Sequence, residues 1–155
     1  PDSILGSKME EYPELLFIYG TLMAVAQHPL GDLLRENGKF VGKGSIQARL
    51  YEVTETDQQG VNTYPGAVPS AFEEDRVHGE VWRVTDRKKV FPIFDRFEAC
   101  TPDWPEPYEF ELRKIPVVVD DNSSLIAGAY LYAWDTSRAM HIPSGRYQKI
   151  APDVR

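Results

Sequence analysis

Two segments late in the chain, Glu109 to Val119 and Leu125 to Trp134, are separated only by the polar stretch Asp120-Asp121-Asn122-Ser123. So short a connection can join antiparallel strands, whereas parallel strands need a crossover of about a dozen residues or more. The pair therefore predicts a long hairpin, which weighs against a doubly wound parallel sheet. The rest of the pattern agrees. Leu15-Leu16-Phe17-Ile18-Tyr19, stopped by Gly20, reads as a short buried strand. Phe40 to Val53 and Val77 to Val84 also read as strands, with Gly42 and Gly44 as bulge or bend positions. Pro29 to Asn37 predicts a short helix carrying Leu30, Leu33 and Leu34 on one face.

Asp86 is a candidate N-cap for a second helix, along which Val90, Phe94 and Phe97 form an apolar stripe. Pro92 interrupts that stripe and predicts a kink or two short helices. Tyr64-Pro65-Gly66 reads as a turn and Pro69-Ser70 as a continuation of its loop. Cys100 to Pro107 reads as a loop, and Ile142-Pro143-Ser144-Gly145 as a turn before a polar tail. Strand, helix, strands, helix and strands in that order predict an α+β domain built on a strongly bent mixed sheet.

At 155 residues the chain is the size of one domain. Residues 9–155 are taken as that domain, and 1–8 as a processed leader or an expression remnant, with Met9 as the native start. Lys and Arg number 17 against 24 Asp and Glu, so the net charge is −7. This excludes binding that works by neutralising nucleic-acid phosphates or anionic membrane. A single cysteine, Cys100, excludes an intramolecular disulfide and a cysteine-rich zinc site. The histidines, His28, His78 and His141, lack ligand-type spacing, so no metal is expected. No apolar run reaches the roughly 18–20 residues that span a bilayer, and no signal-like apolar region opens the chain. A cytoplasmic, reducing setting is the expectation.

No dinucleotide fingerprint, P-loop, zinc-protease motif or nucleophile elbow is present. Two places remain for chemistry. Tyr19-Gly20-Thr21-Leu22 sits where an apolar strand opens into a loop. It reads either as a backbone cradle for an anion or oxyanion, or as a plain strand-ending turn. Glu98 follows Phe97 at the end of the apolar stripe. The negative end of the helix dipole and apolar neighbours would both raise its pKa, which suits a general acid/base. The alternative is a solvated carboxylate flanking the stripe. Asp95, three residues earlier, would add like-charge repulsion. Cys100 has no adjacent base and reads as inert. Tyr64 reads as a pocket residue or an aromatic packed on the sheet, Arg113 as a partner for an acid such as Glu80 or for a surface acid, and Trp82 and Trp134 as core rather than ligand platforms.

Tyr19-Gly20-Thr21-Leu22-Met23, Ala48-Arg49-Leu50-Tyr51, Tyr64-Pro65-Gly66-Ala67, Val77-His78-Gly79-Glu80-Val81 and Phe94-Asp95-Arg96-Phe97-Glu98 occur in that order. This ordered set, from about Leu16 to Gly145, resembles the gamma-glutamyl cyclotransferase-like family, including its avirulence-induced-gene-like branch. The resemblance implies a small mixed β-barrel-like fold with helices packed on it. It implies a cofactor-independent enzyme that cyclises the gamma-glutamyl part of an amine or peptide to 5-oxoproline and releases the amine. Glu98 would be the catalytic residue, and Tyr19, Gly20, Thr21 and Leu22 would bind the substrate. The partner would be a small gamma-glutamyl molecule, not nucleic acid or membrane. A metabolite-binding protein, or a gamma-glutamyl transferase or amide-cleaving enzyme on the same fold, are the alternatives. The chain departs from the family pattern at Ala99, where glycine is common, and at Phe94 and Phe97, where leucines are. A further departure is at Arg146 and Tyr147, where an acid and a tryptophan are frequent.

Overall fold

A computed structural model describes residues 12–20 and 29–147. In chain order the elements are β1 (Leu15–Ile18), α1 (Pro29–Glu36), β2 (Gly38–Asp57), β3 (Gly60–Pro69), β4 (Arg76–Val84), α2 (Arg87–Phe97), β5 (Phe110–Val119), β6 (Ser124–Tyr132) and β7 (Met140–Ile142).

Five strands close on themselves in the order β2-β4-β1-β6-β5, with β5 returning to β2 through Gly44↔Val119 and Ser45↔Val118. The barrel is mixed because β1 runs parallel to β6 (Leu16↔Gly128) while the other pairings are antiparallel. The expected bends in β2 serve this closure. The β2–β4 register shifts between Phe40 and Gly42. A Cβ on Gly44 would lie 2.7 Å from the Val118 carbonyl oxygen, so glycine there lets β5 approach. The predicted hairpin is present as β5 and β6, with Val119 N–H donating to Ser123 O across the turn.

β2 is longer than the sequence suggests. Its first half pairs with β4, and its second half, Ala48–Asp57, leaves the barrel to pair with β3. Tyr64-Pro65-Gly66 is therefore not a turn but the middle of β3, opposite Val53, Glu52 and Tyr51. The reversal lies between Asp57 and Gly60. Prolines 65 and 69 are tolerated because β3 pairs only with β2, so a missing donor on its other side breaks no ladder.

The alternation along each strand feeds two cores. In β6, Ala127, Ala129 and Leu131 join Phe17, Ile46, Leu50, Val77, Val81 and Val117 in one cluster. Tyr130 and Tyr132 point to the opposite face, where they pack with Leu16, Leu30, Leu34, Val90, Phe91 and Phe94. Both helices thus rest on the outside of the barrel. Asp86 caps α2 as expected, accepting from Lys89 N–H. Pro92 does not split the segment into two short helices: α2 runs unbroken from Arg87 to Phe97. The bond it forfeits would be to the carbonyl of Lys88, an exposed residue that water can reach.

The polar tail is a second correction. β7 pairs with Leu50–Glu52 of β2, and Tyr147 is buried in the barrel cluster with its hydroxyl 3.3 Å from Glu52 Oε2. Among the described residues, no helix is long and apolar enough to cross a membrane.

Candidate active site

α2 ends in a turn that fixes Glu98 in space. Glu98 N–H donates to Phe94 O, Ala99 N–H to Arg96 O and Cys100 N–H to Asp95 O. The last two bonds form a Schellman cap with Glu98 as the final residue and Ala99 just past it in the left-handed region, at φ 57°. The apolar stripe does not stay buried to its end. Val90, Phe91 and Phe94 are buried, but Phe97 is 59% exposed and, with Arg96 and Glu98, lines a cavity at the end of α2.

That cavity has a volume of about 880 Å³. It brings together residues distant in the chain: Glu98, Tyr19 and Gly20 at the end of β1, Tyr64 on β3, and Glu109 just before β5. Tyr19 and Gly20, read from the sequence as one part of the site, thus share one cavity with Glu98. Thr21 and Leu22 lie outside the described residues. The Tyr19 side chain is already engaged. It is buried, its hydroxyl donates to Tyr130 O, and the same oxygen accepts from Ala67 N–H at 3.2 Å. What Tyr19 and Gly20 can still offer a ligand is backbone.

Glu98 is partly buried, and its pKa is pushed up from 4.5 to about 7. Loss of solvent is the larger cause, and the negative charge of Glu109 is the second. The sequence reading assigned the like charge to Asp95, and the structure corrects this. Asp95 accepts hydrogen bonds from the hydroxyls of Tyr12 (2.9 Å) and Tyr130 (2.7 Å), with the Cys100 thiol 3.8 Å from the same carboxylate. It ties α2 to β6 and to the segment before β1. Glu109 escaped the sequence reading because no periodicity relates it to Glu98. It accepts a short hydrogen bond from the Tyr64 hydroxyl. Burial raises its own pKa, the Tyr64 bond opposes this, and nearby Glu55 adds to it.

Tyr64 lines the cavity and packs its ring 6.0 Å from that of Phe110. Trp134 is not core; it is 48% exposed at the cavity, with its indole N–H donating to Pro107 O at 3.0 Å. Trp82 is partly buried against the helix-side core. Glu80 accepts from the Trp82 indole at 3.0 Å, while Arg113 is exposed.

The two acids make a prediction that separates them. Glu109→Gln removes the charge that acts on Glu98, so the acidic limb of a pH–rate profile should move to lower pH. Asp95→Asn should leave that limb in place and instead cost about 1–3 kcal/mol of stability, because one tyrosine hydroxyl loses its charged acceptor. Rates across pH and urea melts of both variants check this.

A family model described as gamma-glutamyl cyclotransferase, AIG2-like, matches residues 16–149. Solved structures share the fold. An AIG2-like protein from Mus musculus superposes with a TM-score of 0.55 at 17% identity, over 92% of this chain and 99% of its own. An uncharacterized protein from Pyrococcus horikoshii gives 0.54 at 22% identity, over 86% and 88%. A structure titled gamma-glutamyl cyclotransferase gives 0.51 at 16% identity, over 78% and 67%. No match is found among curated proteins.

Proposed function

The chain belongs to the gamma-glutamyl cyclotransferase, AIG2-like family, and on that footing we propose that it is an enzyme converting a gamma-glutamyl amine or peptide into 5-oxoproline and the free amine. The observation that carries this reading is the carboxyl of Glu98, with a pKa of about 7, in the same cavity as the Tyr19–Gly20 backbone. A carboxylate poised near neutrality can both take and return a proton at the working pH.

The substrate's α-amine arrives as an ammonium. Glu98 takes one proton, and the freed nitrogen lone pair attacks the γ-carbonyl carbon. The five-membered ring closes, and the carbonyl π electrons move onto oxygen as a tetrahedral oxyanion. The ring nitrogen then still carries one proton too many. Glu98 delivers the first proton to the departing nitrogen, the C–N bond breaks, and the carbonyl reforms. The second proton follows the same route, so the amine departs as an ammonium and the ring keeps one N–H. Backbone amides of the loop that begins at Tyr19 and Gly20, with Thr21 and Leu22 as the proposed continuation, would hold the glutamyl carboxylate and the oxyanion. Attack within one molecule has a large proximity advantage, so folding the substrate over Glu98 is much of the task. No step calls for a cofactor, and we assign the protein to a reducing, cytoplasmic setting as a single domain over residues 9–155.

A panel of gamma-glutamyl amines, gamma-glutamyl dipeptides and glutathione, read by mass spectrometry, tests this. Release of 5-oxoproline is expected; free glutamate or a transferred glutamyl group would point to a hydrolase or transferase instead. Ligand binding with no turnover of any member would leave a binding protein.

A further inference from the structure

The cavity is larger and more aromatic than a glutamyl group requires. At about 880 Å³ it lies in the range that encloses ligands of drug size. Trp104 and Trp134 line it yet are 53% and 48% exposed, so two indoles are open both to the cavity and to solvent, as is the ring of Phe97. Trp134 is held there by its bond to Pro107 O, which joins the end of β6 to the loop that carries Trp104. The charged residues lining the cavity, among those described, are Glu55, Glu98 and Glu109 against Arg96. With three acids to one base in the lining, a second carboxylate on the ligand, beyond the one the glutamyl group brings, would add repulsion that a neutral amine side avoids.

We propose that the amine half of the substrate is an aromatic amine without a carboxylate, seated on the Trp104 and Trp134 wall while the glutamyl half reaches Glu98. This rests on the reading of Glu98 and the Tyr19–Gly20 loop given above, and it adds the leaving group. Flat aromatic faces left open to solvent gain most from a ring laid against them. The acidic lining selects against amino acids and acidic peptides as leaving groups. Substrate choice is then set by the loop after α2 and the segment after β6, outside the machinery that moves protons.

Three amides isolate the two elements: gamma-glutamyl-phenethylamine, gamma-glutamyl-ethylamine, which lacks the ring, and gamma-glutamyl-phenylalanine, which adds a carboxylate. The phenethylamide should exceed each of the others in kcat/KM by at least about tenfold. Equilibrium binding of the three to Glu98→Gln should give the same order without turnover. Trp104→Ala should bring the phenethyl-to-ethyl ratio towards one, through KM and the dissociation constant. Equal or reversed ratios on a protein that does release 5-oxoproline overturn the amine assignment and leave the reaction standing. The expected binding order without 5-oxoproline release from any amide sinks the reaction and keeps the assignment. No binding and no turnover of all three overturns both.

Discussion

Glu98→Gln is expected to lower turnover by at least about 10²-fold while a substrate still binds. Gln keeps the size and hydrogen-bonding reach of Glu but cannot accept the ammonium proton. Glu98→Asp should also lose activity, since a carboxylate one methylene shorter stops short of the nitrogen. The parent should show an acidic limb near pH 7 in kcat/KM, where Glu98 loses its proton. Stability should move the other way. The folded chain holds this proton up to about pH 7, but the unfolded chain releases it near 4.5. The folded state therefore binds more protons across that window, and stability falls as pH rises through it. At pH 8 the Gln variant should melt higher than the parent, by an amount on the order of 1–3 kcal/mol, with the gap closing below pH 4.5. Melts alongside rates distinguish lost chemistry from lost fold. A well-folded Glu98→Gln protein that releases 5-oxoproline at the parent rate would sink the mechanism.

Gly79→Ala is expected to damage fold and site together. A Cβ at this position would lie 2.1 Å from the Ile18 carbonyl oxygen and 2.9 Å from Phe17 Cζ. β1 would have to move off β4, costing about 3 kcal/mol on the scale of overpacked cores. Ile18 directly precedes Tyr19 and Gly20, so the loop shifts with it. A displacement of about 1 Å in a positioning element can cost 10²-fold in rate. Gly42→Ala is the control. Its Cβ would meet nothing within 4 Å, so stability should change by no more than about 0.5 kcal/mol. Urea denaturation and kcat/KM of both variants decide it; similar values for the two would refute the close-approach argument.

How far the sequence spoke depends on how local each determinant is. The β5–β6 hairpin was legible because its turn and both its strands are contiguous. The raised pKa of Glu98 was legible because the apolar stripe of α2 leads to it, whereas its assignment as the catalytic residue came from the family resemblance. β3 was misread because Tyr64-Pro65-Gly66 carries turn chemistry, and only the absence of a further neighbour on that edge makes a proline harmless. Tyr147 read as tail because its burial depends on strands distant in the chain. Trp134 read as core, whereas β6 ends at Tyr132 and leaves it at the cavity. Glu109 was invisible for a different reason. Its effect on Glu98 runs through space between the end of a helix and the start of a strand, with a loop between, and no spacing rule covers that.

The cap at the end of α2 has a bearing on motion. Ala99 adopts a left-handed backbone with a Cβ attached, at a cost of roughly 1 kcal/mol relative to glycine. Its neighbour Glu98 carries the cost of a desolvated charge. Two adjacent residues thus favour leaving the arrangement that the rest of the chain imposes on them. Local opening is cheapest where such debts accumulate. The turn before the cap is anchored, by Phe94 in the helix-side core and by Asp95 to the Tyr130 hydroxyl, so local opening costs least just past it, at the Glu98–Ala99 cap, where both residues line the cavity.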